Sequence, residues 1–112
     1  MGAITFYENI ACKKKDHKKA FKYLVEAAEY EYGHGGYSGT IAEKSGYSMS
    51  RKPKQIDPEE WIDMLNDFDE DDTDQKHYYE LESDFNIYDD KWGDALCIET
   101  NIGFIFCGWA SC

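Results

Sequence analysis

From His17 to Tyr32 the apolar residues Phe21, Leu24, Val25, Ala28 and Tyr32 recur at steps of three and four, while Lys18, Lys19, Lys22, Glu26 and Glu29 fill the other side. This is the pattern of an amphipathic helix. It constrains the chain more than any other feature, because one apolar stripe must be buried against another element. Asp16 stands where a capping residue precedes the first turn. Gly33 stands where a left-handed cap ends the last one.

The partner of that stripe is expected to be a sheet. "AITFYENIA" (3–11) is β-branched and aromatic with rough alternation, and "DALCIET" and "GFIFCGWAS" follow late in the chain, joined by a tight turn at "NIG". "YSMSRK" reads as a further short strand, "TIAEK" as a short strand or one turn, and "HYYELES" as a strand. The cleanest local signal is "IDPEEW". Asp57 caps a helix, Pro58 takes its first position, Glu60 closes a capping box, and Ile56 and Trp61 have the spacing of a hydrophobic staple. That helix is expected to run to about Phe68, burying Trp61, Ile62, Leu65 and Phe68. These elements predict one α+β domain over residues 1–112: a mostly antiparallel sheet with two helices on one face and an acidic loop at about 67–76. The apolar "GFIFCGWAS" is expected at a sheet edge, covered or paired with a second copy, which favours a homodimer.

A chain of 112 residues can bury a core without staples, and nine Tyr, six Phe and three Trp set it apart from a disordered acidic chain. No stretch reaches the ~18 apolar residues of a membrane span. The opening "MGAITFYENIACKKK" lacks the pattern of a secretory signal, and Phe6 breaks the myristoylation pattern. A cytoplasmic location away from membranes is expected. Cys12, Cys97, Cys107 and Cys112 have no CxxC spacing and the histidines are scattered, so free thiols are expected and neither metal nor cofactor.

Charge divides the chain. Residues 1–56 hold ten Lys/Arg and six Asp/Glu, net +4, while residues 57–112 hold two Lys and seventeen Asp/Glu, net −15. The acidic half does not fit against nucleic acid, whose phosphates repel it. It does fit against a protein that binds nucleic acid.

Two candidate sites follow. The stretch "YGHGGYSGTIAEKSGYSMS" (32–50) carries five glycines and three tyrosines. It matches neither the P-loop nor the dinucleotide fingerprint. Its glycines permit close approach of an anion to backbone amides. Gly35, Gly36 and Gly39 would hold phosphate, with Lys44 or Arg51 as counter-charge. Thr40 would add a polar contact, and Tyr37, Tyr47 or Trp92 would stack on a base. The plainer reading is a compact loop packed by its own tyrosines. Trp92 is expected as a pocket wall or in loop packing, and Trp109 as a core anchor.

The second candidate is "DFDEDDTDQK", with six acids between Asp67 and Asp74. Its EF-hand positions (Asp69, Asp71, Thr73, Gln75, His77, Glu80) lack the glycine of the sharp turn, which argues against calcium. A solvated acidic face is the plain reading. The sharper one is an imitation of a nucleic-acid backbone by Asp67, Asp69, Glu70, Asp71, Asp72 and Asp74, extended by Asp63, Glu80, Glu82 and Asp84. For catalysis only His34, beside Ser38, is well placed, and no nucleophile elbow surrounds that serine. His17 is expected to be exposed. No enzymatic activity is expected, a small hydrolase being the alternative.

"EYGHGGYSGTIAEK", "DKWGDALCI" and "GFIFCGWAS" together resemble a group of small, largely uncharacterised proteins encoded by bacteriophages and prophages. The acidic segment 67–84 is not part of that pattern. The resemblance implies an accessory, counter-defence role in the host cytoplasm rather than metabolism. Two functions follow as expectations. The first is a non-catalytic protein that sequesters a small nucleotide-like anion in the Gly/Tyr segment. The second is an acidic nucleic-acid mimic that blocks a host defence protein, with no direct contact to nucleic acid.

Overall fold

The computed structural model describes residues 2–33 and 38–112. Its elements in chain order are strand β1 (Ala3–Ala11), helix α1 (His17–Tyr32), strand β2 (Tyr47–Met49), helices α2 (Pro58–Asn66) and α3 (Tyr78–Tyr88), and strands β3 (Ala95–Glu99) and β4 (Gly103–Ser111). Single 3-10 turns occupy Lys14–Asp16 and Ile41–Glu43.

The four strands form one sheet in the order β1-β4-β3-β2. β1 runs antiparallel to β4 along nine residue pairs, Ala3 opposite Ser111 to Ala11 opposite Gly103. β3 is antiparallel to β4, and β2 is parallel to β3. A parallel pair needs a long crossover, which α2 and α3 supply. The α+β class and the mostly antiparallel sheet are therefore as expected. β4 is not: it lies inside the sheet between β1 and β3, so it offers no edge to a second copy. The reason lies in its composition, because a nearly continuous apolar run suits a strand buried on both faces.

Both faces are covered. On one face Phe6, Ala95, Cys97, Phe104, Phe106 and Ala110 pack with Phe21, Leu24, Val25 and Ala28 of α1. On the other, Leu96, Ile98, Ile105 and Cys107 pack with Trp61 and Leu65 of α2 and Leu81 and Tyr88 of α3. Two helices do share one face, but they are α2 and α3, with α1 alone opposite. The segment read as the strand "HYYELES" is the start of α3. Its buried positions Leu81, Asp84 and Tyr88 follow the helical period, and the carboxylate among them interrupts the apolar stripe.

Helix ends show which local signals hold. Pro58 opens α2 and the Asp57 carboxylate accepts the Glu59 N–H at 3.2 Å. Ile56 packs on the cluster that contains Trp61, as the staple spacing predicts. The α2 helix stops at Asn66, two residues before Phe68. Asp16 makes no side-chain cap to α1, because a 3-10 turn already leads into that helix. Gly33 ends α1 with φ +87 and donates its N–H to the Glu29 carbonyl at 2.7 Å, with ψ extended rather than left-handed helical.

Candidate functional site

The glycine segment is built from the inside by short-range bonds. The Ser38 hydroxyl donates to Glu43 Oε2 at 2.7 Å and lies 2.8 Å from the Thr40 hydroxyl. Thr40 Oγ1 in turn accepts the Ala42 N–H at 3.2 Å and so caps the turn Ile41–Glu43. The Gly39 N–H donates to the Ser111 carbonyl at 2.8 Å. Gly39 has φ +72, and a Cβ there would lie 2.6 Å from Ile4 Cγ2. Glycine at this position is explained by backbone conformation and by the approach of β1, without any ligand. Ile41, 1% exposed, anchors the turn in the core.

Lys44 is buried at 3% exposure. Its ammonium donates to the Asp90 carbonyl at 2.9 Å and lies 5.9 Å from the Phe6 ring centroid. Burial pushes its pKa down, while the carboxylates of Asp90 and Asp94 act in the opposite sense. Tyr47 belongs to the core beneath α1, with its ring edge-on to Phe106 and tilted against Phe21. Its hydroxyl meets His17 Nδ1 at 2.5 Å, and desolvation raises its pKa. His17, expected to be exposed, is thus half-buried, because Tyr47 and Phe104 draw its ring onto the sheet. Trp92 is 60% exposed on the turn after α3, where its backbone N–H donates to Asp90 Oδ1 at 3.0 Å and Lys91 Nζ lies 5.2 Å from its ring centroid.

Of the residues expected to bind a small anion, Gly39 gives its N–H to β4, Thr40 caps the turn Ile41–Glu43, and Lys44 and Tyr47 are built into the core. Gly35, Gly36 and Tyr37, with His34, lie outside the described residues. Arg51 is exposed, and its backbone N–H is taken by Asp84 at 2.9 Å. An open groove of about 920 Å³ is lined by none of the expected ligand residues. Ser50, Lys52, Gln55, Glu59 and Thr100 help to line it.

The acidic segment has a different construction. Phe68 at its start and Tyr78 at its end stack at 5.6 Å between ring centroids, and Phe68 also packs on Phe85 of α3 at 5.1 Å. Between them the chain turns on itself. The Gln75 amide donates to the carbonyls of Asp69 and Asp72 at 2.6 and 3.0 Å, and the Asp71 N–H donates to Asp69 Oδ1 at 3.0 Å. The Tyr78 hydroxyl lies 2.9 Å from both the Glu70 carbonyl oxygen and Glu82 Oε2, which share its one proton as acceptors. The carboxylate of Glu82 is the leading cause that raises the Tyr78 pKa. His77 enters α3 with φ +61, and its ring lies edge-on to Trp61. Asp67, Asp69, Glu70, Asp71, Asp72 and Asp74 are all exposed. Glu59, Glu60 and Asp63 of α2 are also exposed, with Glu59 Oε1 accepting the Tyr7 hydroxyl of β1 at 2.7 Å, while Glu80 and Glu82 of α3 are half-buried.

Asp84 does not belong to this face. It is 0% exposed and accepts the Trp61 indole N–H at 2.8 Å, the Arg51 N–H at 2.9 Å and a short bond from the Ser50 hydroxyl. Its role is structural, and the spacing of carboxylates in the sequence does not distinguish it from its exposed neighbours. The helical period from Leu81 to Tyr88 would have placed it inward. Among the described residues no three His, Cys, Asp or Glu side chains converge as metal ligands, and no helix is long and apolar enough to cross a membrane.

Comparison with protein-family models, with curated proteins and with solved structures finds no match to this chain.

Proposed function

We propose that this protein is a non-catalytic binder that presents its acidic segment to the basic surface of a nucleic-acid-binding protein, in the place of a nucleic-acid backbone. The carrying observation is the exposure of Asp67, Asp69, Glu70, Asp71, Asp72 and Asp74 on a segment closed at its base by Phe68 and Tyr78. A charged surface held in place loses less freedom on binding than a mobile tail. Like charges at such density destabilise the fold that carries them, so their concentration on one ordered segment suits a cationic partner. The sequence's resemblance to phage-encoded proteins favours a host defence protein as that partner.

For the alternative, sequestration of a small nucleotide-like anion, the expected carriers Gly39, Thr40, Lys44 and Tyr47 are already engaged or buried, while Gly35, Gly36 and Tyr37 lie outside the described residues. No described contact favours it over the acidic face.

The test is affinity capture from host extract with the wild-type chain and with a variant in which the six carboxylates are changed to Asn or Gln. The expected partner binds the wild type, is lost with the variant, and is eluted by excess duplex DNA. Capture that survives both the variant and the DNA would overturn the reading.

A further inference from the structure

β1 is one of the two edges of the sheet, and it is the longer one. Gly2 and Cys112 exchange backbone bonds at 3.4 and 3.2 Å, and the Cys12 N–H donates to the Ile102 carbonyl at 2.9 Å. In an antiparallel ladder, residues that bond the neighbouring strand alternate with residues that do not. With the observed register, Ile4, Phe6, Glu8 and Ile10 therefore bond to β4. The N–H and C=O groups of Ala3, Thr5, Tyr7, Asn9 and Ala11 point away from the sheet. Thr5, Tyr7, Asn9 and Ala11 are exposed, and no described strand pairs with β1 on that side. The strand carries no proline or lysine, and half-buried Glu8 on its α1-facing side is its single charge, so few of the usual devices that keep an edge from pairing are present.

Its sequence, "AITFYENIA", reads almost the same in both directions about Tyr7. A second copy laid antiparallel with Tyr7 opposite Tyr7 would set Ala3 against Ala11, Ile4 against Ile10, Thr5 against Asn9 and Phe6 against Glu8. All nine residues pair in this register. The outward-facing groups of the odd-numbered residues meet as hydrogen-bonded pairs, each exchanging two bonds. Glu8 is not set directly opposite Glu8, the two being diagonal neighbours. Centring the pair on Glu8 instead would set those two carboxylates face to face, and centring it on Phe6 would set Ile4 against Glu8. Both would also shorten the ladder.

The flank of the strand supports the same occupant. A groove of about 380 Å³ runs between β1 and α1, bounded by Phe6, Tyr7, Leu24, Ala28, Tyr32 and Ile41. Side chains of an added strand on the α1 face, among them a second Ile4 and Ile10, would enter it. Tyr7 and Ile4 are 44% and 52% exposed, and both would lose water contact.

We infer that the protein forms a two-fold dimer in which β1 pairs antiparallel with β1 of a second copy, centred on Tyr7, and joins the two sheets into one of eight strands. No residue of the acidic segment lies on β1, so the inference stands apart from the proposed partner.

The test is light scattering coupled to gel filtration on the full chain, with circular dichroism to confirm that each variant is folded. Thr5 and Asn9 are exposed, and they face each other only across the proposed interface. The wild type is expected at twice the 13.0 kDa of one chain. The variant Thr5→Lys/Asn9→Lys, which sets like charges opposite one another, is expected at the single mass. The variant Thr5→Lys/Asn9→Glu, which sets opposite charges there, is expected to return to the double mass. A wild type at the single mass across its soluble range would overturn the inference. So would a folded Lys/Lys variant that stays dimeric, or a folded Lys/Glu variant that stays monomeric.

Discussion

The indole N–H of Trp61 donates to Asp84 Oδ2 at 2.8 Å, with both side chains fully buried. This bond joins α2 to α3. The same carboxylate holds the chain at Ser50 and Arg51, where β2 leaves the sheet. Asp84→Ala would strand these donors, and each buried group left unpaired costs about 1–3 kcal/mol. The expected loss in urea unfolding is roughly 3 kcal/mol or more. Trp61→Phe, which leaves Asp84 its other two donor residues, is expected to cost less. Equal and small losses for both variants would show that the network is not what ties the helices together.

Gly39→Ala tests whether the glycine segment is shaped by packing. The φ of +72 costs an alanine roughly 1–2 kcal/mol, and the close approach of Ile4 adds to that. Stability is expected to fall by about this amount or more without any added ligand. An alanine variant as stable as wild type would remove the structural explanation for this glycine.

The thiols divide by position. Burial pushes the Cys97 and Cys107 thiols up to about 12 from an ordinary value of 9.0, so neither forms a reactive thiolate near neutral pH. Ellman's reagent is expected to label exposed Cys112 first and half-buried Cys12 more slowly. Cys97 and Cys107 should react only on unfolding. Raised folded values favour the protonated form, so their contribution is complete below pH 9 and is lost as the pH rises toward about 12. Tyr7, raised to about 12 chiefly by its bond to Glu59, acts in the same sense above pH 10. Stability should therefore decline on the alkaline side from about pH 9 upward. A flat profile to pH 12 would contradict these burial assignments.

Partner binding through the acidic segment should depend on salt. A dispersed charged interface weakens steeply above ~0.15 M ionic strength, and the on-rate carries most of the change. Surface plasmon resonance across a salt series is expected to show this for the wild type and a flatter dependence for the six-fold neutralised variant. Parallel curves would place the interface elsewhere.

Much of the fold was legible because local signals agreed with tertiary demand. The stripe from Phe21 to Tyr32 marks α1 to its final residue, and Asp57-Pro58 marks the start of α2. The failures have one cause, which is that burial on two sides is not visible in a short window. Seven residues around Tyr78 and Tyr79 look β-prone, and only the longer spacing through Leu81, Phe85 and Tyr88 reveals α3. The apolar "GFIFCGWAS" suggests an edge awaiting cover, yet its continuity is what an interior strand requires. The glycine segment could not be read from spacing alone. Gly39, Thr40 and Lys44 are residue types that serve anions and tight turns equally, and hydrogen-bond partners such as Ser111 and Asp90 lie 72 and 46 positions away. The acidic face was legible because six carboxylates between Asp67 and Asp74 cannot all be buried.

The most direct test is a competition. Labelled duplex DNA is bound to the captured partner and the wild-type chain is titrated in, with fluorescence anisotropy following the DNA. The account predicts that the DNA is released as this protein takes its place, and that the six-fold neutralised variant releases none. A stable complex of all three, or equal release by both chains, would contradict it.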